Sequence, residues 1–208
     1  MEGRSVGDYF YEPRKGHGLP HDPFKAIVAP RPIGWIGTVD AQGRPNLAPY
    51  SFFNAISSFP PMVFFNSEGR KDSIDNAEAT GEFTCSLVGA ALARAMNATS
   101  APVAHGVNEF VLAGLAMAPS SRVKPPRVAE AIAALECKVT QIIQLAGADG
   151  VKLDSWMVLG EVVGVHIDDR WLKDGMFDTA GARPIARCGY RGDYAEVTSL
   201  FEMTRPTA

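Results

Sequence analysis

Cysteine is scarce in this 208-residue sequence: Cys85, Cys137 and Cys188 are odd in number and more than forty positions apart. That spacing fits neither a disulfide framework nor a zinc knuckle, and the three read as buried thiols. An excess of positive charge is also missing, since 20 Lys and Arg stand against 23 Asp and Glu, for a formal net charge of −3. No broad positive potential is available to hold a polyanion, which excludes nucleic acid as the main partner. The longest apolar runs, such as 60–65, fall far short of the ~20 residues that a membrane helix needs, so no membrane partner is expected. Residues 1–11 carry Glu2, Arg4 and Asp8, with no apolar stretch and no small-residue cleavage site. No secretory signal is therefore expected, and a cytoplasmic location follows by default. Asn97-Ala98-Thr99 matches a glycosylation acceptor only in letters in that compartment. Gly-x-Gly-x-x-Gly, the P-loop, His-Glu-x-x-His and Gly-x-Ser-x-Gly are all absent, so the common nucleotide-fold, zinc-protease and serine-hydrolase chemistries lose their support. Of the four histidines only His17 and His21 are close, and Pro20 between them denies a shared helical face, so no metal site is expected.

What is present is an ordinary globular composition, 46% hydrophobic and 21% charged. A chain of this length buries roughly 70% of its extended surface. One domain over 1–208 is expected, with an irregular N-terminal arm over 1–24 and a C-terminal extension over 169–208. There is no internal repeat. Ile33 to Val39, a turn at Asp40-Ala41-Gln42-Gly43 and a second extended run from Asn46 to Ile56 read as a β-hairpin. Pro60-Pro61 then precedes a short apolar strand, Met62 to Asn66. Asp72 is the expected cap of a helix that stops by Gly81. Phe83 to Val88 reads as strand, and Ala90 to Ala98 and Val128 to Ala134 as short helices. Leu135 to Leu145 alternates as a half-exposed strand with one irregularity at Ile142. Trp156 to Ile167 is the longest extended run, and Gly160 and Gly164 are the points where it could coil around a barrel corner. Strands outnumber helices and pair mainly as neighbours, which predicts an antiparallel barrel, mainly β, with helical insertions.

The informative stretch is Arg31-Pro32-Ile33-Gly34-Trp35-Ile36-Gly37-Thr38-Val39-Asp40, followed by Gly43, Asn46-Leu47-Ala48-Pro49-Tyr50-Ser51-Phe52-Phe53-Asn54 and Pro60-Pro61. Its order and spacing resemble the flavin reductase-like family of FMN-binding split-barrel flavoproteins, including the subgroup labelled flavoprotein oxygenases. The resemblance continues through Arg70-Lys71-Asp72-Ser73, Thr80-Gly81-Glu82-Phe83, Glu109-Phe110, Ala113-Gly114-Leu115, Leu135-Glu136-Cys137 and Leu159-Gly160-Glu161-Val162. It ends at Pro184-Ile185-Ala186-Arg187-Cys188-Gly189-Tyr190, similar to the family's closing Arg-Gly-Gly-type turn. Each piece alone is weak, and the ordered series from residue 25 onward is specific. It implies an antiparallel, Greek-key-type FMN-binding split barrel, working as a homodimer with the flavin near the interface and the N-terminal arm over it.

FMN needs flat walls for its ring, polar partners for its ribityl chain, and cations or N–H donors for its phosphate. Trp35 and Tyr50 stand evenly between core and flavin wall, while Phe53 reads as core. Pro49 belongs to the same stretch. Thr38, Asn46, Ser51 and Asn54 are candidates for ribityl or phosphate oxygens, although strand alternation puts Ser51 and Asn54 on opposite faces, so one of the two is structural. Arg70 and Lys71, ordinarily a solvated pair, precede a helix start that also favours an anion, and Arg31 is a further candidate cation. His105 falls where related flavin reductases have a loop bordering the flavin, so it is a candidate to approach a nicotinamide. Related reductases show Asp-His before the strand that here begins after Asp154-Ser155-Trp156, a departure that removes the corresponding histidine; His166 reads as structural. The expected activity is hydride transfer from NADH or NADPH to FMN. The alternatives are an FMN-dependent oxygenase or reductase step on a small organic substrate, and a non-catalytic FMN-binding protein.

Overall fold

The computed structural model describes residues 7–206; the first six residues of the expected arm and the last two of the extension lie outside the described residues. Seven strands form one antiparallel sheet: β1 (Gly34–Val39), β2 (Pro45–Tyr50), β3 (Phe53–Ser58), β4 (Pro61–Glu68), β5 (Glu82–Ser86), β6 (Ala133–Ala146) and β7 (Lys152–Ile167). Their spatial order is β2-β1-β5-β6-β7-β4-β3. The two outermost strands, β2 and β3, are consecutive in sequence and joined only by Ser51-Phe52, so the sheet has to curl until its edges meet. That closure, left without a ladder between β2 and β3, is a split barrel. The passage from β4 through α1 (Asp72–Thr80) to β5 skips the places of β6 and β7, a Greek-key-type connection.

The β1–β2 hairpin forms around 40–43 as the sequence predicts, with Gly43 at φ +79. The single extended run from Asn46 to Ile56 does not. It breaks at Ser51, and its second half pairs with β4 at the opposite edge. The predicted helix over Val128 to Ala134 is also overturned: Arg127–Val128 is a short strand and Ala133 already belongs to β6, in register with β5 through Ser86↔Ala134. Seven residues without a capping side chain give too little helical stability to compete with an open sheet position. Ala90 to Ala98 divides into a 3-10 turn and α2 (Ala93–Ala98). The irregularity in β6 lies at Thr140, skipped between Gln141↔Leu159 and Val139↔Gly160, while Ile142 sits in register with Val158. Register shifts do occur at Gly160 and Gly164. A Cβ at Gly160 would come within 2.4 Å of the Phe83 ring, so the glycine lets β7 cross this fully buried core residue.

Two apolar cores result. One fills the barrel with Ile36, Phe65, Phe83, Cys137 and Val158, and takes the apolar face of α1 through Ile74 and Ala77. The other lies under α2 and joins Trp35, Leu47, Met96 and Phe110 to Ile185. Ile185–Arg187 pairs with Arg31–Pro32 on one side and Tyr194–Glu196 on the other, which returns the C-terminal segment to the start of β1. Cys85 and Cys137 are buried thiols and Cys188 is partly exposed. His166 meets the fully buried Glu136, which also accepts N–H bonds from Ser121, Arg122 and Val123, and is structural. Among the described residues no helix is long and apolar enough to cross a membrane, and no three His, Cys, Asp or Glu are grouped to hold a metal ion.

Candidate functional site

The site grows from the start of α1. Its N-cap is Lys71, in extended backbone and without a side-chain cap, and the expected cap Asp72 is the first helical residue. The first amides of the helix therefore have no side-chain acceptor, in a position where the dipole favours an anion. A buried polar chain fixes this end against the sheet. Asn76 Nδ2 donates to Thr38 Oγ1 at 3.1 Å, and Asn46, opposite Thr38 in the β1–β2 ladder, donates to Ser73 Oγ at 3.0 Å. Tyr50 packs on Phe65 at 5.0 Å, with the Ser73 and Ser67 hydroxyls near its own. Burial pushes the Tyr50 phenol above its usual range, against the opposing effect of those hydroxyls.

Around this helix start lies a cavity of about 440 Å³, walled by Asn46, Tyr50, Lys71, Ser73, Thr99 and Glu109 among others. Burial pushes the Glu109 carboxyl up, although Leu47 N–H donates to it at 2.9 Å. Lys71 forms no ion pair among the described residues. A second cavity of about 850 Å³ shares Pro49 and Ser100 with the first and adds Ile33, Ser51, Met96, Ile185 and three arginines. The two adjoin at Pro49 and Ser100 and together outline an elongated cleft: a narrow end with an ammonium group, hydroxyls and a helix N-terminus, and a wide end that mixes apolar walls with the three arginines. The volumes suit a cofactor-sized ligand. This donor set fits a phosphomonoester at the Lys71–Ser73 end and a flat ring near Pro49 and Ser100.

The structure brings Asn46, Pro49, Tyr50, Arg70 and Lys71 to the narrow end, and Pro49 and Ser51 to the wide one. Others of the expected set go elsewhere. Trp35 is 0% exposed and donates its indole N–H to Thr99 Oγ1 at 2.9 Å, so it props the Thr99-Ser100 wall from the core and offers no face to a ring. Thr38 is equally buried and holds Asn76 and Asn46. Arg31 is buried and donates to the backbone of Lys25 and Val28, outside both cavities. Asn54 lies exposed on edge strand β3 and accepts from Ala55 N–H; the break at Ser51 resets the alternation that set these two residues in conflict. Arg70 reaches the cavity, yet its guanidinium is committed to Asp75 at 2.7 Å and to Glu78, over the Trp156 ring. His105 places Nδ1 3.0 Å from Asp72 and Nε2 3.2 Å from Arg44. Both ring nitrogens are thus engaged by protein groups, a clasp between the 99–108 loop and α1, and not by the cleft.

Sequence reasoning passes over Ser73, Thr99, Ser100 and Glu109. A signal existed: Asn97-Ala98-Thr99-Ser100 is a polar cluster directly after an alanine-rich helix, and Asn108 caps α3 (Glu109–Leu112) by accepting from Phe110 N–H at 3.0 Å, which aims Glu109 back at β2.

With this geometry established, comparison with known proteins becomes informative. The sequence profile of the flavin reductase like domain matches residues 28–185. An uncharacterized protein of Deinococcus radiodurans is 39% identical over 194 residues, covering 88% of this chain and 82% of that protein. One from Halalkalibacterium halodurans is 34% identical, over 86% and 88%. Among solved structures, nitrilotriacetate monooxygenase component B from Bacillus cereus superposes with a TM-score of 0.86 at 28% identity, over 96% of this chain and 100% of that one. The 2-nitrobenzoate 2-nitroreductase of Pseudomonas fluorescens gives 0.78 at 26%, over 88% and 89%. By its ordered motifs, its split barrel and the profile that spans most of its length, the chain belongs to the flavin reductase-like domain family.

Proposed function

We propose that this chain binds FMN in the elongated cleft and acts as an NAD(P)H-dependent flavin reductase. The observation that carries the reading is the meeting of the two cavities at Pro49 and Ser100, which sets a hydroxyl-rich pocket with the unpaired Lys71 at a helix start beside a wider one walled by Ile33, Met96 and Ile185 as well as arginines. Bound FMN supplies a ring that accepts a hydride and passes electrons to an acceptor. The protein's own part is to bind and orient. Lys71 and the N-terminus of α1 hold the phosphate; Ser73 and Asn46, fixed by the Thr38–Asn76 chain, offer hydroxyl and amide partners to the polar tail. Pro49, Tyr50 and Ser100 border the ring. No protein nucleophile is required, and positioning with exclusion of water carries the effect.

The test is an absorbance spectrum of purified protein, then NADH and NADPH in the same cuvette. A flavin band that bleaches on addition and returns in air supports the reading. A colourless protein that also fails to bind added FMN overturns it, and a band indifferent to both nucleotides rejects the nicotinamide step. One observation favours a second reading, an FMN-dependent step on a small organic anion: Arg94, Arg187 and Arg191 wall the wide cavity. Two structural relatives are, by name, a monooxygenase component and a nitrobenzoate nitroreductase. Turnover only with an added organic substrate selects this alternative. A homodimer is part of the proposal, supported by the exposed β3 edge and by Phe59, 95% exposed beside it.

A further inference from the structure

A third cavity, of about 690 Å³, lies between the N-terminal segment and the C-terminal turn. It sets His17, His21 and Lys25 against Arg187, Tyr190 and Arg191. Arg187 and Arg191 also wall the wide end of the cleft, so the two guanidiniums stand at the boundary of both spaces. Neither forms an ion pair or a side-chain hydrogen bond among the described residues. Arg187 Cζ lies 4.7 Å from the centre of the Tyr194 ring, a cation–π contact that uses none of its N–H donors in a hydrogen bond to that ring.

The turn that presents them is built without their help. Tyr190 N–H donates to Asp193 Oδ2 at 2.7 Å, Cys188 N–H to Asp193 O at 3.2 Å, and Gly189 and Gly192 take the left-handed φ values +50 and +91. Arg187, at the end of its strand, and Arg191, on the turn, thus bring two unpaired positive charges to one cavity, an arrangement that attracts an anion. Asp22 also lines the cavity and accepts from Phe24 N–H, but no carboxylate pairs with Arg187 or Arg191 among the described residues, and Glu68 pairs with Lys25 at 3.5 Å. Across the cavity His21 and Tyr190 form a tilted aromatic pair, ring centres 5.8 Å apart, against which a base can lie.

We propose that Arg187 and Arg191 clamp the diphosphate of a dinucleotide, with one nucleoside along His21 and Tyr190 and the other reaching into the wide end of the cleft. The proposal rests on the reading of the protein as a nicotinamide-dependent flavin reductase, and it places the donor between the N-terminal segment and the C-terminal turn. FAD carries the same diphosphate chemistry and is the other source to separate.

The test uses the full chain loaded with FMN and titrates ADP-ribose, which has the diphosphate but no redox group, by calorimetry. Wild type should bind it, and Arg191→Gln should weaken binding by ~10-fold or more, the scale of one charge-assisted hydrogen bond. Arg191 is exposed at the tip of the turn, so its loss tests charge without risk to the fold; Arg187→Gln is the second variant. In kinetics, the ratio of kcat/KM for NADH to that for a dihydronicotinamide without phosphates should fall ~10-fold in either variant. NAD⁺ or NADP⁺ displacing ADP-ribose supports the donor as occupant, whereas displacement by FAD alone overturns that assignment. No ADP-ribose binding by a wild-type protein whose flavin NADH still bleaches overturns the proposal and leaves the flavin reductase reading intact. Arginine-dependent ADP-ribose binding with a flavin that ignores NADH and NADPH supports the diphosphate clamp and overturns the reductase reading instead.

Discussion

Single side chains carry the sharpest consequences. Lys71 and Arg70 look equivalent in sequence, adjacent and just ahead of a helix. Their surroundings separate them: Arg70 is held by Asp75 and Glu78, whereas Lys71 faces the cavity without an ion pair. Lys71→Ala should therefore raise the Kd for FMN by roughly 10- to 100-fold, and Arg70→Ala by less than about threefold, read by fluorescence titration. The second residue-scale prediction concerns Glu136. Burial pushes its carboxyl up, but the N–H donors of Ser121 and Arg122 and the neighbouring His166 outweigh this and hold it below its ordinary value of 4.5. A carboxyl lowered in the folded state contributes stability that is fully present above 4.5 and is lost as pH falls below it. Urea denaturation at several pH values should show that loss in wild type. Glu136→Gln should cost about 2 kcal/mol or more near neutral pH and flatten the acid dependence. Thiol chemistry sorts the same way. Burial pushes Cys85 up to about 12 and Cys137 also well above its usual value, so a thiol reagent should label Cys188 first in the native protein, with the other two reacting only on unfolding.

At the scale of elements, β7 shows how a strand depends on one position. Gly160→Ala would press a methyl group into Phe83 and Cys137, both fully buried, exactly where the register shifts. The expected cost is about 1–3 kcal/mol, measurable as a lower urea midpoint with little change in slope. The hairpin β1–β2, the helix stopped at Gly81 and the two glycine bends of β7 were legible in sequence, because turn chemistry and alternation are local. The break at Ser51 was not: residues 46–56 hold no glycine to mark a turn, and only closure of the sheet sends the next strand to the far edge. Val128 to Ala134 misled for the related reason that a sheet position outweighs a weak helical propensity. In the candidate site, the segments 46–51 and 70–71 were visible as polar and cationic clusters near a helix start. Sequence could not tell a wall from its support. Trp35 and Thr38 carry the right chemistry but point into the core; Ser73 sits in the visible helix start beside Lys71, whereas Thr99 and Ser100 reach the cleft from a segment whose spacing does not show that it lies close by.

Over the whole molecule, the split between β2 and β3 connects fold to function. A sheet forced to curl by a two-residue link leaves its edges unpaired by each other, and the cleft opens beside that link, where Pro49 and Ser51 face it. The exposed β3 edge, with Ile56 and Phe59 on its hairpin, is the face proposed to meet a second copy. Sedimentation of wild type should give twice the 22.3 kDa chain mass, and Ile56→Asp with Phe59→Asp should shift it toward the monomer. The central claim is that the cleft binds a flavin nucleotide with its phosphate at Lys71 and the start of α1. The most direct measurement is parallel titration of flavin-free protein with FMN and with riboflavin, in wild type and in Lys71→Ala. The account predicts FMN binding at least ~10-fold tighter than riboflavin in wild type, with most of that preference lost in the variant. Equal affinity for the two flavins in wild type, or a preference for FMN that survives Lys71→Ala undiminished, contradicts it.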